Sequence, residues 1–151
     1  MDKSTLDALG KISANEKMFN SLYRSASAKF DLPDGRMWIL YFLFFSDRDV
    51  TQQDIAEHLM LSKQTINSAA SWLVDAGLIE LEKITGTRKK RLKLTPAGKA
   101  TAEATVGRML RAECRAVEKM GAEKIAAYIS LYSEFYECMR QEFQKEGIID
   151  A

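Results

Sequence analysis

Apolar residues recur at helical spacing along the first part of the chain. They are Leu6, Leu9, Phe19, Leu22, Ala26 and Phe30. The spacing predicts an amphipathic helix that begins near Ser4, a good N-cap residue. This helix is expected to end before Asp31-Leu32-Pro33, because the residue that precedes a proline resists the α conformation.

The next segment is apolar without a clear period. Met37–Phe45 is a run of nine apolar residues, and periodicity alone is compatible with either a buried strand or a buried helix. Pro33 suits the first turn of a helix. That start and the length of the segment favour a second helix, buried on nearly all sides.

Two further helix starts follow at close spacing. Thr51-Gln52-Gln53-Asp54 resembles a capping box, with Asp in place of the usual Glu or Gln, and Ser62 is a second N-cap. Gly77 stands where a left-handed residue commonly ends a helix. Two helices of about 8 and 14 residues joined by a tight turn form a helix-turn-helix. Their predicted buried positions are Ile55, Ala56, Leu59, Ile66, Ala69, Ala70 and Leu73, with Trp72 as a further apolar position of the second of these helices.

Beyond Gly77 the apolar period changes from helical to alternating. Alternation runs through residues 78–83 and returns at Arg91–Leu94, with Thr85-Gly86-Thr87 between them as a turn. This pattern predicts a β-hairpin whose tip and second arm are basic. Thr95-Pro96 then restarts a helix, with Thr as N-cap and Pro at the first position.

The chain from Ala97 to about Glu146 has no proline and is rich in helix formers. Gly121 is the expected break in so long a stretch. The last part carries an apolar stripe at helical spacing, formed by Ile125, Tyr128, Ile129, Tyr132, Phe135, Tyr136, Met139 and Phe143. So much aromatic surface needs a partner, and a second subunit is the natural one.

Together these elements predict a mainly α fold with a small β-hairpin wing. A winged helix-turn-helix domain is expected over 33–96, and a helical dimerisation region over 1–32 and 97–151. No apolar run reaches the roughly 20 residues of a membrane helix, and the polar first residues carry no secretory signal. The two cysteines suit a reducing compartment rather than a disulfide framework.

The net charge of +1 hides an uneven distribution. Residues 48–82 carry two bases against six acids, whereas residues 83–102 carry seven bases and no acid. A basic hairpin beside a helix-turn-helix is typical of contact with DNA phosphates. Taken alone, the run Arg88–Lys93 is equally compatible with an ordinary solvated strand.

The second helix of the helix-turn-helix has side chains that suit duplex DNA. Gln and Asn can pair with adenine, Lys with guanine, and Ser or Thr with several bases, while helix N-termini suit phosphates. The candidate DNA-contacting residues are Thr51, Gln52, Ser62, Lys63, Gln64, Thr65, Asn67, Ser68, Ser71, Thr87, Arg88, Lys89, Lys90 and Arg91. For the helix residues, an ordinary polar surface is the alternative. The acids expected to point away from DNA are Asp75, Glu80 and Glu82.

The stretch from Thr51 to Gly98 resembles the MarR family of transcription regulators. The matching residues are Thr51–Leu59, Ser62–Ile79, Arg88 and Leu92–Gly98. The resemblance implies a triangular homodimer in the cytoplasm that binds a pseudo-palindromic operator in double-stranded DNA. It also implies relief of repression by a small, often aromatic ligand held between two lobes.

The chain departs from the family pattern at several positions. Gly86 replaces an Asp often found two residues before the wing arginine, which predicts a less rigid wing. Ser68 and Trp72 stand where many members have basic residues, so affinity is expected to depend on the wing and on dimer avidity. Met60 is not glycine, and a left-handed conformation there would cost roughly 1 kcal/mol.

Six aromatic residues of the first two helices are candidates for an effector pocket, with an ordinary aromatic core as the alternative. They are Phe19, Tyr23, Trp38, Tyr41, Phe42 and Phe45. His58 is the single histidine and is interpreted as a helix-surface residue, so no His-based metal cluster or catalytic triad forms within one subunit. Cys114 and Cys138 are interpreted as inert thiols.

We therefore interpret the chain as a homodimeric DNA-binding transcriptional regulator, acting as a repressor. Neither enzymatic activity nor a cofactor or metal is expected. Control by a small aromatic effector is implied by the resemblance alone. A winged helix that binds a protein partner instead of DNA is the alternative, and the weakly charged recognition helix leaves it open.

Overall fold

Helices dominate the structure, a computed structural model that describes residues 2–33 and 35–150. The helices are α1 Lys3–Lys29, α2 Gly35–Phe45, α3 Gln52–Leu59, α4 Lys63–Asp75, α5 Pro96–Ala104, α6 Val106–Met120 and α7 Ala122–Lys145. The strands are β1 Val50–Thr51, β2 Ile79–Lys83 and β3 Lys90–Leu94. The predicted fold class, mainly α with a small hairpin, is confirmed.

The chain divides into two compact units, with the boundary between Leu110 and Arg111 inside α6. The predicted assignment of 33–96 to DNA binding and of the flanking regions to dimerisation stays a prediction. Met1, Asp34 and Ala151, which belong to those regions, lie outside the described residues.

The first helix begins slightly earlier than expected. Asp2 is its N-cap residue, and the Ser4 hydroxyl donates a hydrogen bond to the Asp2 carboxylate. The prediction of Ser4 as N-cap is therefore wrong, because an acidic residue two positions earlier takes that place. The predicted end is confirmed: α1 stops at Lys29, and Asp31 adopts a left-handed conformation with φ 54°.

The apolar segment after Pro33 is a helix, which resolves the choice between helix and strand. α2 begins at Gly35 rather than at Pro33. It supplies much of the core of the first unit, but its last residue, Phe45, is 63% exposed, so burial on nearly all sides does not extend to that end. The fully buried large side chains of this core are Met37, Ile39, Leu40, Val50, Ile55, Ile66, Leu73, Ile79 and Val106.

The helix-turn-helix forms as its cap residues predict. The Thr51 hydroxyl accepts from the backbone N–H of Asp54, and the Asp54 carboxylate accepts from the backbone N–H of Thr51, which completes a capping box. Ser62 accepts from the backbone N–H of Thr65 at 3.1 Å and starts α4. At the far end, Gly77 has φ 68° and donates to the Val74 carbonyl, as in a left-handed helix terminus.

Met60, in the turn between α3 and α4, is in the left-handed conformation with φ 51° and ψ 36°. Its side chain is 86% exposed, so packing does not compensate for the strain. We expect Met60→Gly to be more stable than Met60→Ala by about 1 kcal/mol, because only glycine adopts this conformation without a Cβ penalty. Urea unfolding of the two variants measures the difference; equal midpoints would contradict the strain.

One antiparallel sheet has the strand order β1-β3-β2. The hairpin of β2 and β3 was predicted, and its register pairs Ile79 with Leu94 and Glu82 with Arg91. β1 was not predicted; it pairs Val50 with Leu92. Because alternate residues face opposite sides of a strand, the buried Val50, Ile79 and Leu92 share one face, and charged residues occupy the other.

The chain after the sheet contains two helix breaks. Thr95 caps α5 by accepting from the backbone N–H of Gly98 at 2.9 Å, with Pro96 at the first position, as predicted. The break at Gly121 is confirmed, with φ 83°. The break at Thr105 was missed: its hydroxyl donates to the Thr101 carbonyl at 2.6 Å, a back-bond of the kind that bends helices.

The aromatic stripe of α7 is exposed. No residue of this helix is buried, and Tyr128, Ile129, Tyr132 and Tyr136 are each more than half exposed. Tyr128 and Tyr132 stack on one another with ring centroids 6.0 Å apart. The second unit therefore presents an apolar helix face.

Candidate nucleic-acid interface

The recognition helix α4 has a buried apolar face and an exposed polar face. Ile66, Ala69, Ala70 and Leu73 are buried. The candidate DNA-contacting residues of this helix are all exposed: Ser62, Lys63, Gln64, Thr65, Asn67, Ser68 and Ser71. The structure thus places the candidates of this helix together on its exposed surface.

Two hydroxyls in that set already have partners in the helix cap. Ser62 Oγ and Thr65 Oγ1 lie 2.8 Å apart, and Ser62 Oγ also accepts from the Thr65 backbone. The amides of Gln64 and Asn67 are among the exposed side chains that take no part in this cap. An amide offers both a donor and an acceptor, the combination that pairs with adenine.

The N-terminus of α3 is occupied by its own cap. The Thr51 hydroxyl donates to Asp54 Oδ2 at 2.8 Å. The pKa of the Asp54 carboxyl lies below its ordinary value, chiefly because the Thr51 backbone N–H donates to it, then because of the Thr51 hydroxyl, with smaller contributions from Arg48 and Lys89. Thr51 and Gln52 remain candidate phosphate contacts, with the Thr51 side chain already engaged in the cap.

The tip of the wing is held by Thr87. Gly86 turns the chain with φ 78°, and the Thr87 hydroxyl donates to the Ile84 carbonyl at 3.2 Å while it accepts from the Lys89 backbone at 3.1 Å. These two bonds close the turn without the Asp that many family members carry. The wing therefore has an internal support that its sequence did not reveal.

The four basic candidates of the wing fall into two groups. Arg88, Lys89 and Lys90 are exposed and form no ion pair among the described residues. Arg91 is different: its Nη1 lies 2.6 Å from Asp49 Oδ1, and its Nη2 lies 2.9 Å from Glu82 Oε2. The guanidinium of Arg91 is thus occupied within the protein.

Glu82 is the centre of this ion-pair network. Lys93 Nζ also lies 2.9 Å from Glu82 Oε2. Hydrogen bonds from Arg91 and then from Lys93 lower the pKa of the Glu82 carboxyl from its ordinary value of 4.5 to about 2. Because Asp49 precedes β1 while Glu82 and Arg91 lie on β2 and β3, the network ties the three strands together.

A pH prediction follows from the lowered pKa of Glu82. Stability that a carboxylate gains in this way is fully present above its unfolded pKa of about 4.5 and is lost as the pH falls towards about 2. We expect Glu82→Gln to be less stable than the wild type at pH 7, and the difference to vanish near pH 2. Thermal melts across this range measure it, with Glu80→Gln on the same strand as control. A difference independent of pH would contradict the ion-pair explanation.

The aromatic candidates for an effector pocket form a partial cluster. Ring centroids lie 5.1 Å apart for Tyr23 and Trp38, 5.7 Å for Trp38 and Tyr41, and 6.4 Å for Tyr41 and Phe45. Phe42 is buried and meets the ring of His58 instead. Phe19 is 58% exposed and makes no ring contact among the described residues.

The remaining candidate chemistry concerns metal ligands and thiols within residues 2–33 and 35–150. This part of the chain contains no group of three His, Cys, Asp or Glu residues placed to hold a metal ion. Its cysteines, Cys114 and Cys138, are exposed free thiols. None of the described helices combines the length and the hydropathy needed to cross a membrane.

One contact at the recognition helix escaped the sequence analysis. The Cζ atom of Arg36, in the first turn of α2, lies 4.0 Å from the ring centroid of Trp72 on α4. No local spacing pattern reveals this pair, because its two members lie on different helices. The contact adds a cation to the surroundings of a helix whose own sequence contains only Lys63.

The helix-turn-helix of α3 and α4, with the basic hairpin of β2 and β3 beside it, defines a winged-helix protein. Residues 30–90 match the sequence profile of the MarR family. Over this winged-helix segment the chain is similar to the MarR family. A search of curated protein sequences gives no match.

Solved structures of MarR family regulators share this fold. A regulator from Neisseria meningitidis superposes with a TM-score of 0.77 at 23% identity, over 92% of this chain and 98% of its own. MepR of S. aureus, solved with DNA, superposes with a TM-score of 0.66 at 20% identity, over 83% of this chain and 96% of its own. MarR of Staphylococcus aureus, solved with salicylate and kanamycin, superposes with a TM-score of 0.66 at 17% identity, over 93% of this chain and 95% of its own. These matches confirm the winged-helix fold over nearly the whole chain.

Proposed function

We propose that the protein is a sequence-specific DNA-binding transcriptional regulator without enzymatic activity. The exposed polar face of α4, opposite the buried Ile66, Ala69, Ala70 and Leu73, carries this proposal. A helix of this kind fits the major groove and presents amides and hydroxyls to base edges. The wing supports it with three cations that form no ion pair among the described residues, since such cations release counterions from phosphates.

The regulator is proposed to act as a homodimer on a pseudo-palindromic operator. Large apolar residues are exposed on both proposed dimerisation helices. On α1 they include Leu9, Met18, Phe19 and Leu22, and on α7 they include Tyr128, Ile129, Tyr132 and Tyr136. Exposed apolar faces of this extent are typical of interfaces, and a two-fold dimer presents its two α4 helices to half-sites about 10 bp apart.

The proposed mode of control is repression relieved by a small aromatic ligand. The cluster of Tyr23, Trp38 and Tyr41, whose neighbouring rings are tilted or edge-to-face, supports this, because aromatic side chains offer apolar surface to an aromatic guest. A related fold, that of the Staphylococcus aureus MarR, was solved with salicylate. Titration with salicylate, followed by tryptophan fluorescence and by release of DNA, tests this part of the proposal.

The DNA-binding proposal is tested with a fragment from the upstream region of the protein's own gene. Fluorescence anisotropy is expected to show one dimer per site and a preference over a scrambled fragment. Gln64→Ala and Asn67→Ala are each expected to reduce that preference about tenfold or more, because each removes a bidentate base contact. Asn20→Ala, on the exposed surface of α1, is the matched control.

A second candidate function rests on the sparse charge of the recognition helix. α4 contains one cation, Lys63, and one anion, Asp75, so it lacks the excess positive charge common in DNA-binding helices. A winged helix with such a surface suits a protein partner. A stable dimer that binds neither fragment at 50 mM salt would favour this second function.

A further inference from the structure

The exposed surface of α4 receives a second cation from another helix. Arg36 lies in the first turn of α2, and its guanidinium stands over the ring of Trp72 at 4.0 Å. Trp72 is 38% exposed and comes one helical turn after Ser68, so the two share a face of α4. The guanidinium therefore lies beside the face that carries the candidate base contacts.

The contact leaves the hydrogen-bonding groups of Arg36 available. A guanidinium over an aromatic ring interacts through its flat face, and its N–H donors project outward in the plane. No carboxylate pairs with Arg36 in the part of the chain that the structure describes, whereas Arg91 binds both Asp49 and Glu82. Among the described residues Arg36 thus has free donors, whereas two carboxylates engage the guanidinium of Arg91.

We propose that Arg36 binds a phosphate of the DNA backbone, and that Trp72 positions its guanidinium beside α4 for this contact. The inference rests on the proposed DNA-binding function. The partner is identified by its chemistry: a planar guanidinium with in-plane donors matches the oxygens of a phosphodiester. Trp72 acts through Arg36, since the cation–π contact holds the half-buried Arg36 side chain beside α4.

The same contact explains how α4 functions with so little charge of its own. Lys63 stands at the first residue of the helix, and no further cation follows along α4. Arg36 supplies positive charge about two turns further along, at the level of Trp72. Phosphate contacts at both ends fix the orientation of a recognition helix in the groove, while the residues between them face the bases.

The test is the salt dependence of DNA binding by the full-length dimer. A plot of log K against log salt concentration has a negative slope, and each lost phosphate contact reduces the magnitude of that slope by about 0.9. We therefore expect Arg36→Gln to lower it by about 1.8, for one phosphate per subunit. Arg24→Gln removes the same charge from the exposed surface of α1 and is expected to leave the slope unchanged.

A double-mutant cycle tests the positioning role of Trp72. Trp72→Leu is expected to weaken binding in the wild type and to have almost no effect in the Arg36→Gln background, because the two residues act as one unit. Trp72→Phe retains a ring and is expected to restore most of the affinity that Trp72→Leu loses. Circular dichroism and thermal melts establish that each variant is folded.

Three results would overturn the proposal, and they differ from one another. Arg36→Gln with the wild-type slope, whether or not affinity falls, would assign Arg36 a packing role only. If the effects of the Arg36 and Trp72 substitutions on the free energy of binding are additive, Trp72 does not act through the phosphate contact of Arg36. Absence of salt-dependent binding by the folded wild type would overturn the proposed function itself, and the phosphate contact with it.

Discussion

Replacing Gly98 with alanine is expected to lower the free energy of unfolding by about 3 kcal/mol or more. A Cβ at this position would lie 1.8 Å from the carbonyl oxygen of Leu78 and 2.8 Å from its carbonyl carbon. Both atoms belong to the backbone, so no side-chain rotation relieves the overlap, and α5 must move away from Leu78, the residue directly before β2. That movement breaks the hydrogen bond from the Thr95 backbone N–H to the Leu78 carbonyl, 3.1 Å in the native structure.

Gly10→Ala is the matched control for this substitution. Gly10 also lies in a helix, but nothing lies within 4 Å of a Cβ built there. Helix propensity alone predicts that Gly10→Ala stabilises the protein by about 0.5–1 kcal/mol. In urea unfolding, we expect Gly98→Ala to lower the free energy of unfolding and Gly10→Ala to raise it. If both substitutions stabilise the protein, α5 moves away from the Leu78 backbone at no cost in stability.

Neutralising the wing is expected to have the largest effect on DNA binding. The change is the combined substitution of Arg88, Lys89 and Lys90 by alanine. Because these cations form no ion pair among the described residues, each is free to neutralise a phosphate, and the salt slope is expected to fall by about 2.7 per subunit. Affinity at 150 mM salt is expected to fall on the order of a thousandfold, measured by anisotropy.

A matched triple variant carries the same charge change elsewhere in the first unit. Lys11, Lys17 and Lys29 are exposed on α1, and their replacement by alanine is expected to leave the salt slope within about one unit of the wild type. Both variants are compared as dimers by light scattering before titration. Equal losses in the two triple variants would assign binding to overall charge rather than to the wing.

The starts of α3, α4 and α5 were predictable because each depends on a few neighbouring residues. Thr51, Ser62 and Thr95 each accept a hydrogen bond from the backbone N–H three residues on, a bond whose partners are fixed by local sequence. The left-handed Gly77 was predictable for the same reason. Local chemistry therefore specified the helix-turn-helix before any tertiary contact was known.

Features that depend on distant partners were missed. β1 has two residues and no pattern of its own; it exists because β3 pairs with it. The helix break at Thr105 was also missed, since the residue sits among helix formers and only its hydroxyl bond to Thr101 marks it. At the candidate site, the Arg36–Trp72 contact joins two helices and required the fold.

The pairing of Arg91 was missed although the sequence contained a signal for it. Acids at 80 and 82 and bases at 91 and 93 lie on the two arms of one predicted hairpin. A register that places Ile79 opposite Leu94 necessarily places Glu82 opposite Arg91. Opposite charges directly across an antiparallel pair attract. Applied to the charged positions, the same register predicts that Arg91 pairs with Glu82. It thereby distinguishes Arg91 from Arg88, Lys89 and Lys90, which form no ion pair among the described residues.

The division of α4 into two faces has a consequence for how such a protein diverges. Ile66, Ala69 and Leu73 hold the helix in the core, whereas Gln64 and Asn67 are exposed. Surface substitutions of this kind usually change stability by less than about 0.5 kcal/mol. A duplicated gene can therefore acquire a new target sequence by a few substitutions while its product still folds. Trp72 is also exposed but is less free to change, because its ring positions the Arg36 guanidinium for the proposed phosphate contact.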